Sequence, residues 1–282
     1  MISLKEVKRR ILTIEGTQKI TVARQMISSA LLHKSQDKLA HIKTYKKAVD
    51  ELYAKVTPEE NCHCYYKNIG KGKTGIILIA SNSGMCGSYN LNIVKEAALL
   101  KERYPNEELV FYPIGKKIRE VLLNAGKPIG SIENIDMDEL IEKPEFNKSA
   151  VVVRFFTELF LSCQLKQIIV VHTHFKSVGS QEVVHTTLLP YQVDSTPPKT
   201  NFIIEPCAEK IRKKLLERSL KAAFHTIIID SLTAEYAART IAMQLASENA
   251  NEMISELQII YNKIRQQTIT SELLDIVGNS FA

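Results

Sequence analysis

Residues 207–277 contain neither proline nor glycine, the two residues that most readily end a helix. Apolar side chains recur along this stretch in steps of three, four and their sums, as on one face of a helix. They are Ile229, Leu232, Tyr236, Met243, Ala246, Ala250, Met253, Leu257, Ile260 and Ile264. A helix of this length would span roughly 105 Å, so much of it must extend beyond any compact domain.

A second stretch of this kind occupies residues 1–57, which contain no proline and a single glycine, Gly16. Its apolar residues follow the same steps: Leu4, Val7, Ile11, Ile14, Leu32, Leu39, Ile42, Val49, Tyr53 and Val56. The predicted helix is roughly 85 Å long. Two amphipathic helices at opposite ends of one chain can cover each other's apolar stripe, which predicts a long antiparallel two-helix coiled coil with a left-handed supercoil.

The middle of the chain, residues 58–206, has a different pattern, in which short apolar runs alternate with helical periodicity. The predicted strands are 75–81, 108–114, 167–175 and 182–189, and the predicted helices are 90–103, 116–125 and 149–163. This alternation indicates a small α/β, Rossmann-like domain with a mainly parallel sheet. The proline-bearing run 189–206 is the predicted linker. The expected division is therefore 1–57, 58–206 and 207–282.

Cysteine and hydropathy patterns restrict where the protein works. The five cysteines of the 282-residue chain are scattered and odd in number, and the first ten residues lack the apolar stretch of a secretory signal. A reducing cytosolic compartment is expected. The longest apolar runs are far shorter than the ~20 residues that cross a bilayer. Any function at a membrane would then depend on other chains.

Positive charge is concentrated near the N-terminus. Residues 1–57 hold 12 Lys and Arg against 5 Asp and Glu, whereas residues 58–206 hold 16 against 17 and residues 207–282 hold 9 against 9. A basic helix of this kind suits nucleic acid, an anionic membrane surface or an acidic protein partner, and charge alone does not choose among them.

The sequence offers weak signals for a phosphate-binding loop and for a metal site. Residues 70–75 end like a phosphate-binding loop, but residue 67 is Lys67 instead of glycine and the stretch precedes a strand instead of following one. Cys62, His63 and Cys64 with His172 and His174 lack the paired spacing of a structural zinc site, and the two histidines are explained equally well by packing. We expect no metal, no cofactor and no catalytic residue.

The loop 81–90 lies between the first predicted strand and the following helix. Gly84 and Gly87 would permit tight backbone geometry, and Asn90 is a suitable helix cap. Cys86 has no His, Asp, Glu or Lys within the loop to activate it as a nucleophile, so a small, half-buried thiol is expected.

Four sequence runs resemble the signatures of the gamma-subunit family of rotary F-type ATP synthases, in the family's order. They are Thr17-Gln18-Lys19-Ile20-Thr21; Gly84-Met85-Cys86-Gly87; Ala237-Ala238-Arg239 with Ala242-Met243; and Tyr261-Asn262-Lys263-Ile264-Arg265-Gln266 with Ile269-Thr270 and Glu272. The C-terminal run is the most specific, and the runs together cover nearly the whole chain.

The resemblance implies a rotating central stalk without catalytic residues. Its coiled coil would stand inside a ring of alpha and beta subunits, and its α/β middle would bind the epsilon subunit and the membrane c-ring, on the cytoplasmic face of a bacterial inner membrane. It implies partner contacts at Thr17, Gln18, Lys19, Thr21, Arg24, Gly84, Cys86, Gly87, Arg239, Met243, Asn262, Arg265, Gln266, Thr270 and Glu272.

Some residues depart from the family pattern. Arg24 stands where methionine is common, Gly16 where asparagine is common, and Asn82 and Ser83 where charged residues are common. We expect Arg24 to face an acidic loop of a beta subunit. The charge-poor segment 268–282 is expected to lie deepest in the ring as a bearing surface. The alternative is a basic coiled-coil protein that binds nucleic acid or has a structural role.

Overall fold

A computed structural model describes residues 3–56, 72–191 and 205–280, except 106, 131, 133–135 and 206. Cys62, His63, Cys64 and Lys67 lie outside the described residues, as does nearly all of the expected linker. Two long helices, α1 (Leu4–Val56) and α6 (Ala208–Ser280), confirm the helices expected at the two ends of the chain. Gly16 does not interrupt α1.

The chain groups into two compact units that differ from the expected three-part division, which stays a prediction. The terminal unit comprises Met1–Ser29 with Arg239–Ala282, and the sheet unit comprises Ala30–Ala238. Each unit therefore contains a piece of both long helices. No helix in the described part of the chain is long and apolar enough to cross a membrane.

The sheet unit contains four strands in the order β2-β1-β3-β4: β1 (Lys73–Ile79), β2 (Leu109–Ile114), β3 (Leu165–Ser177) and β4 (Ser180–Leu189). β1 runs parallel to β2 and β3, and β4 is an antiparallel edge strand. The mainly parallel sheet is thus confirmed. β1 is buried almost throughout, which explains its continuous apolar sequence.

Shorter helices cover both faces of the sheet. α2 (Tyr89–Arg103) and α3 (Lys116–Asn124) pack on one face, and α4 (Met137–Glu142) and α5 (Phe146–Leu161) pack on the other. α3 ends in a Schellman motif, in which Gly126 has a φ of 59° and the amide of Lys127 donates to the carbonyl of Leu122. The short helix α4 was not expected, because its six residues give too little periodicity.

Within the sheet unit, α1 and α6 are antiparallel. The Ser35 hydroxyl lies 2.6 Å from that of Thr233, and further along α1 the Asp50 carboxylate accepts from Ser219, earlier on α6. Leu32, Leu39, Val49 and Tyr53 are buried, as the apolar spacing predicts.

The terminal unit follows the predicted spacing in part. Val7 and Ala250 are buried, and Gln18 donates to Asn251 at 2.6 Å. Met253 and Ile260, which were expected in the seam, are instead 55% and 43% exposed. Ile254 and Tyr261, the residues that follow them, are half-buried in their place. The correction follows from the 3.6-residue turn, because a strict heptad drifts around a helix by ~20° per repeat.

Candidate interaction surfaces

The five candidate contact residues on α1 occupy two levels of exposure. Thr17 and Lys19 are exposed, whereas Gln18, Thr21 and Arg24 are half-buried. The Thr17 and Thr21 hydroxyls donate to carbonyls of their own helix, at 3.0 Å and 2.8 Å. Gln18 is already bonded to Asn251. Thr17 and Lys19 are therefore the most available of the five to another chain.

The candidate contact residues on α6 are either buried or exposed. Arg239 and Met243 are 5% and 6% exposed, so a role for them in contacting another chain stays a prediction. The remaining candidates are all exposed: Asn262, Arg265, Gln266, Thr270 and Glu272. Thr270 donates to the carbonyl of Gln266 at 2.9 Å, a bond within the helix that leaves the Gln266 side chain facing outward.

An apolar surface accompanies these polar residues. Near its N-terminus α1 exposes Leu12, Ile20, Met26 and Ile27, each by at least 59%. Toward its C-terminus α6 exposes Ile259, Ile269, Leu273, Leu274, Ile276 and Val277. Large apolar side chains concentrated on one pair of helix segments are the usual mark of an interaction surface.

The glycine loop differs in detail from expectation. Cys86 is buried, at 2% exposed, and accepts from the Asn90 side-chain amide at 3.3 Å. Gly87 has a left-handed φ of 59°, but Gly84 does not have a left-handed φ and has open space around it. Asn90 does not cap α2, because Ser88 holds that position. The Asn90 side chain instead accepts from the Ser81 backbone amide.

Asn82, in the same loop, has a role that the sequence did not reveal. Its side-chain nitrogen donates to the Asp138 carbonyl and to the Glu142 carboxylate, at 2.9 Å and 3.0 Å. Its side-chain oxygen accepts from the Lys116 backbone amide at 3.0 Å. A carboxylate in this place could not donate to Glu142, so the neutral amide of Asn82 suits its neighbours better than an acidic side chain would.

A cleft of about 340 Å³ in the sheet unit is lined by charged residues of both signs. Lys34, Lys38 and Lys143 line it together with Glu142 and Glu145, over apolar residues of α6. In the described part of the chain no carboxylate is within ion-pair distance of these lysines. The lining has one positive charge more than it has negative ones, so its lysines are available to an acidic side chain of another chain.

Of the run 70–75, which ends like a phosphate-binding loop, the structure describes residues 72–75. Lys73 and Thr74 begin β1, whereas the residues of a phosphate-binding loop follow a strand. The Lys73 ammonium pairs with Glu108 at 2.5 Å, and the Thr74 hydroxyl donates to Glu107. Among the described residues, no group of three or more His, Cys, Asp or Glu side chains could hold a metal ion.

His172 and His174 have a specific partner that packing alone did not predict. The buried Asp230 carboxylate of α6 lies 2.5 Å from His174 Nδ1 and 3.7 Å from His172 Nε2. Burial alone would raise the pKa of Asp230, but the two histidines and the charge of Lys43 outweigh it and lower that pKa below its usual value. Asp230 therefore stays ionised inside the unit.

Tyr89 lies beside this cluster and also contacts α6. Its hydroxyl is 2.8 Å from that of Ser231 and donates to the Ser231 carbonyl at 3.1 Å. Burial raises the Tyr89 pKa far above its ordinary value. No motif signalled this cluster, because its residues lie in separate parts of the sequence that meet only when α6 packs on the sheet.

Comparison with known proteins identifies the family. A sequence profile of the ATP synthase family matches residues 3–282. The ATP synthase gamma chain of Parabacteroides distasonis is 38% identical over 99% of this chain and 98% of that protein. The chain belongs to the ATP synthase gamma-chain family. The gamma chain of Bacteroides fragilis is 35% identical over the full length of both proteins, and that of Cytophaga hutchinsonii is 31% identical.

Solved structures support the same fold. The rotor of the Euglena gracilis mitochondrial ATP synthase in rotational state 1 superposes with a TM-score of 0.63 at 14% identity, over 94% of this chain and 98% of that one. The central stalk and c-ring structure of the Tetrahymena thermophila enzyme gives 0.56 at 20% identity, over 81% and 99%. Like these rotors, this gamma-chain family member combines long terminal helices with a central sheet.

Proposed function

We propose that this protein is the central-stalk rotor subunit of an F-type ATP synthase. It would couple ion flow through a membrane c-ring to ATP synthesis or hydrolysis in a ring of alpha and beta subunits. The observation that carries the proposal is the end of α6, where every described side chain from Arg265 onward is exposed and many are apolar. In a gamma-chain family member, such a segment requires a surrounding partner.

The partners can be divided between the two units. The alpha and beta ring would surround the terminal unit, whose apolar and polar candidates face outward. The epsilon subunit and the c-ring would bind the sheet unit. The cleft lysines Lys34, Lys38 and Lys143, and separately Arg24 of the terminal unit, are the cationic groups that would meet acidic segments of partner chains. On this proposal the protein is peripheral, held at the cytoplasmic face of a bacterial inner membrane by its partners.

We further propose that the subunit is not itself catalytic. Two features support this: the Lys73 and Thr74 side chains contact carboxylates, and the buried Cys86 thiol contacts Ser81 and Asn90 but no basic side chain among the described residues. Nucleotide chemistry would belong to the beta subunits. The nucleic-acid alternative finds no support among the relatives or the solved structures, which are ATP synthase chains.

Reconstitution tests the proposal directly. The purified chain would be combined with alpha and beta subunits from the same source, and a bead on the sheet unit would be followed during ATP hydrolysis. We expect a stable complex and stepwise rotation in one direction. A chain that fails to join the ring, or binds DNA with a steep salt dependence, would contradict the proposal. ATP binding by the isolated chain would contradict its non-catalytic part.

A further inference from the structure

The Asp230 cluster lies where an α/β sheet would ordinarily receive a ligand. β1 is followed by β2 on one side and paired with β3 on the other, so the strand order reverses at β1. Ligands of open α/β sheets bind at such a switch point, beyond the carboxyl ends of the strands. The last residue of β3 paired with β1 is Val171, and His172 and His174 come immediately after it.

In this protein, α6 itself occupies that position. Asp230 and Ser231 contact Tyr89, at the start of α2, and His172 and His174, in the part of β3 that extends beyond its pairing with β1. The Phe175 backbone amide also donates to Asp230, at 3.4 Å. α6 therefore occupies the crevice in which such folds bind a ligand, and it is held there through the Asp230 carboxylate and the Ser231 hydroxyl.

The strength of this contact comes from charge and burial. Asp230 is 4% exposed and His172 is also 4% exposed, so their interaction is largely shielded from water. Hydrogen bonds to an ionised group in such a site are shorter and stronger than neutral ones. α6 also packs on the sheet unit through apolar residues such as Phe224 and through a neutral contact of His225 with Ser149, but Asp230 brings an ionised group directly to a strand.

We propose that Asp230, held by His174 and His172, is the positioning residue that fixes α6 to the sheet against twisting, and so passes torque between them. This inference rests on the proposed rotor function. Torque applied to the sheet must reach α6 through side-chain contacts, and this cluster is a directional, charge-assisted one. Beside it, Ser231 of α6 and Tyr89 of α2 form a neutral hydrogen bond.

The test measures torsional stiffness in the reconstituted complex with alpha and beta subunits. A bead attached through a tag at the β3–β4 turn, at the exposed Gly179, reports the angle of the sheet. Its angular fluctuations during a catalytic pause give the stiffness. We expect Asp230→Ala to lower it by about twofold or more, because the charge-assisted contact with β3 is lost. Thr226→Ala is the matched control, since the Thr226 hydroxyl bonds only to the Ala222 carbonyl of its own helix, one turn away.

A milder pair of variants covers the case in which Asp230→Ala does not fold. His174 is partly exposed, so His174→Ala should fold, and it removes the 2.5 Å contact. His174→Asn restores a side-chain N–H donor near the position of Nδ1 and should recover most of the stiffness. A merely structural role would not predict this recovery. Equal stiffness in the wild type and His174→Ala overturns the inference, whereas a wild-type complex that does not rotate overturns the proposed function instead.

Discussion

A single amide at Asn82 joins three parts of the sheet unit: the start of α3, α4 and the glycine loop. Asp230 does the same between α6 and β3. In both places a nitrogen lies next to a carboxylate: the Asn82 amide next to Glu142, and the His174 ring next to Asp230. A hydrogen-bond donor stabilises the carboxylate there, whereas an oxygen in the same position could only accept and would leave it without that donor. Such requirements depend on neighbours that are distant in sequence, and they were not predicted.

His225 provides a residue-scale prediction about pH. It is 6% exposed, with Nδ1 2.9 Å from the Ser149 hydroxyl, and burial, assisted by Lys38, lowers its pKa from 6.5 to about 4. Between pH 6.5 and 4 the unfolded chain therefore binds a proton that the folded chain does not. Stability is fully present above pH 6.5 and is lost as the pH falls toward 4.

We expect the wild type to lose about 2 kcal/mol of unfolding free energy between pH 7.5 and pH 5 through this group, at 1.4 kcal/mol per pKa unit. His225→Gln cannot titrate, so its loss over the same range should be smaller by that amount. Urea denaturation at the two pH values measures the difference. The same pH dependence in both proteins would mean that His225 is protonated without cost in the folded state.

At the scale of elements, Gly84 in the glycine loop tests whether a glycine is needed for the fold or for contact with a partner chain. Gly84 has no left-handed φ, and a methyl group added there would meet nothing within 4 Å. Gly84→Ala should therefore change the free energy of unfolding by less than about 0.5 kcal/mol, as is usual for an exposed site. If the loop contacts a partner closely, the same variant should weaken assembly of the complex.

Chemical denaturation and co-purification with the other subunits measure the two effects. Gly115→Ala is the comparison variant: its φ is 114° and its added methyl would lie 2.2 Å from the Ala80 carbonyl oxygen, so it should destabilise the fold itself. A Gly84→Ala protein that assembles normally would remove Gly84 from the contact surface.

The exposed turn of α6 at Gln266 and Thr270 gives a third prediction. Both side chains are exposed, and the Thr270 hydroxyl donates to the Gln266 backbone carbonyl within α6. Replacing both by alanine should leave the helix intact, since alanine is the best helix former. If they contact the surrounding ring, ATP turnover of the complex should fall more than its yield. A fall in yield with unchanged turnover per complex would make the residues structural.

Periodicity and breakers predicted the elements well, and the site less well. The lack of proline in both end segments, with no glycine in residues 207–277 and one in residues 1–57, predicted α6 and α1. The apolar runs predicted all four strands, because these signals are local. Met253 and Ile260 were misplaced because the seam depends on how two helices meet. The Asp230 cluster was missed because its residues come from α6 and β3, which approach only in the folded chain.

At the scale of the whole molecule, one helix extends past its partner. In the terminal unit the half-buried positions of α6 continue through Ile254, Leu257, Tyr261 and Ile264. From Arg265 onward every described side chain is exposed. Since Gln18 of α1 meets Asn251 and α1 begins at Leu4, little of α1 remains to cover α6 beyond that point. Residues 265–277 thus form roughly 20 Å of single helix.

This single-helix end, residues 265–277, is where the rotor proposal can be tested most directly. From Thr268 onward it carries only Glu272 and Asp275 as charged residues, while Ile269, Leu273, Leu274, Ile276 and Val277 are largely apolar surface. Dispersion and apolar contact change little as a shaft turns within a sleeve, whereas an ion pair favours one angle. A bearing surface should therefore be apolar and poor in charge.

Leu274→Lys with Ile276→Lys should slow rotation of the reconstituted complex, because a surrounding sleeve must either desolvate the two new charges or pair them, at a cost of several kcal/mol. Ending the chain at Val277 is the control, and it should be tolerated because the apolar side chains remain. Bead rotation and ATP turnover measure both. Crosslinks from residue 276 should reach alpha and beta subunits. Crosslinks to the membrane ring instead would show that this end points toward the membrane and that the orientation proposed for the shaft is reversed.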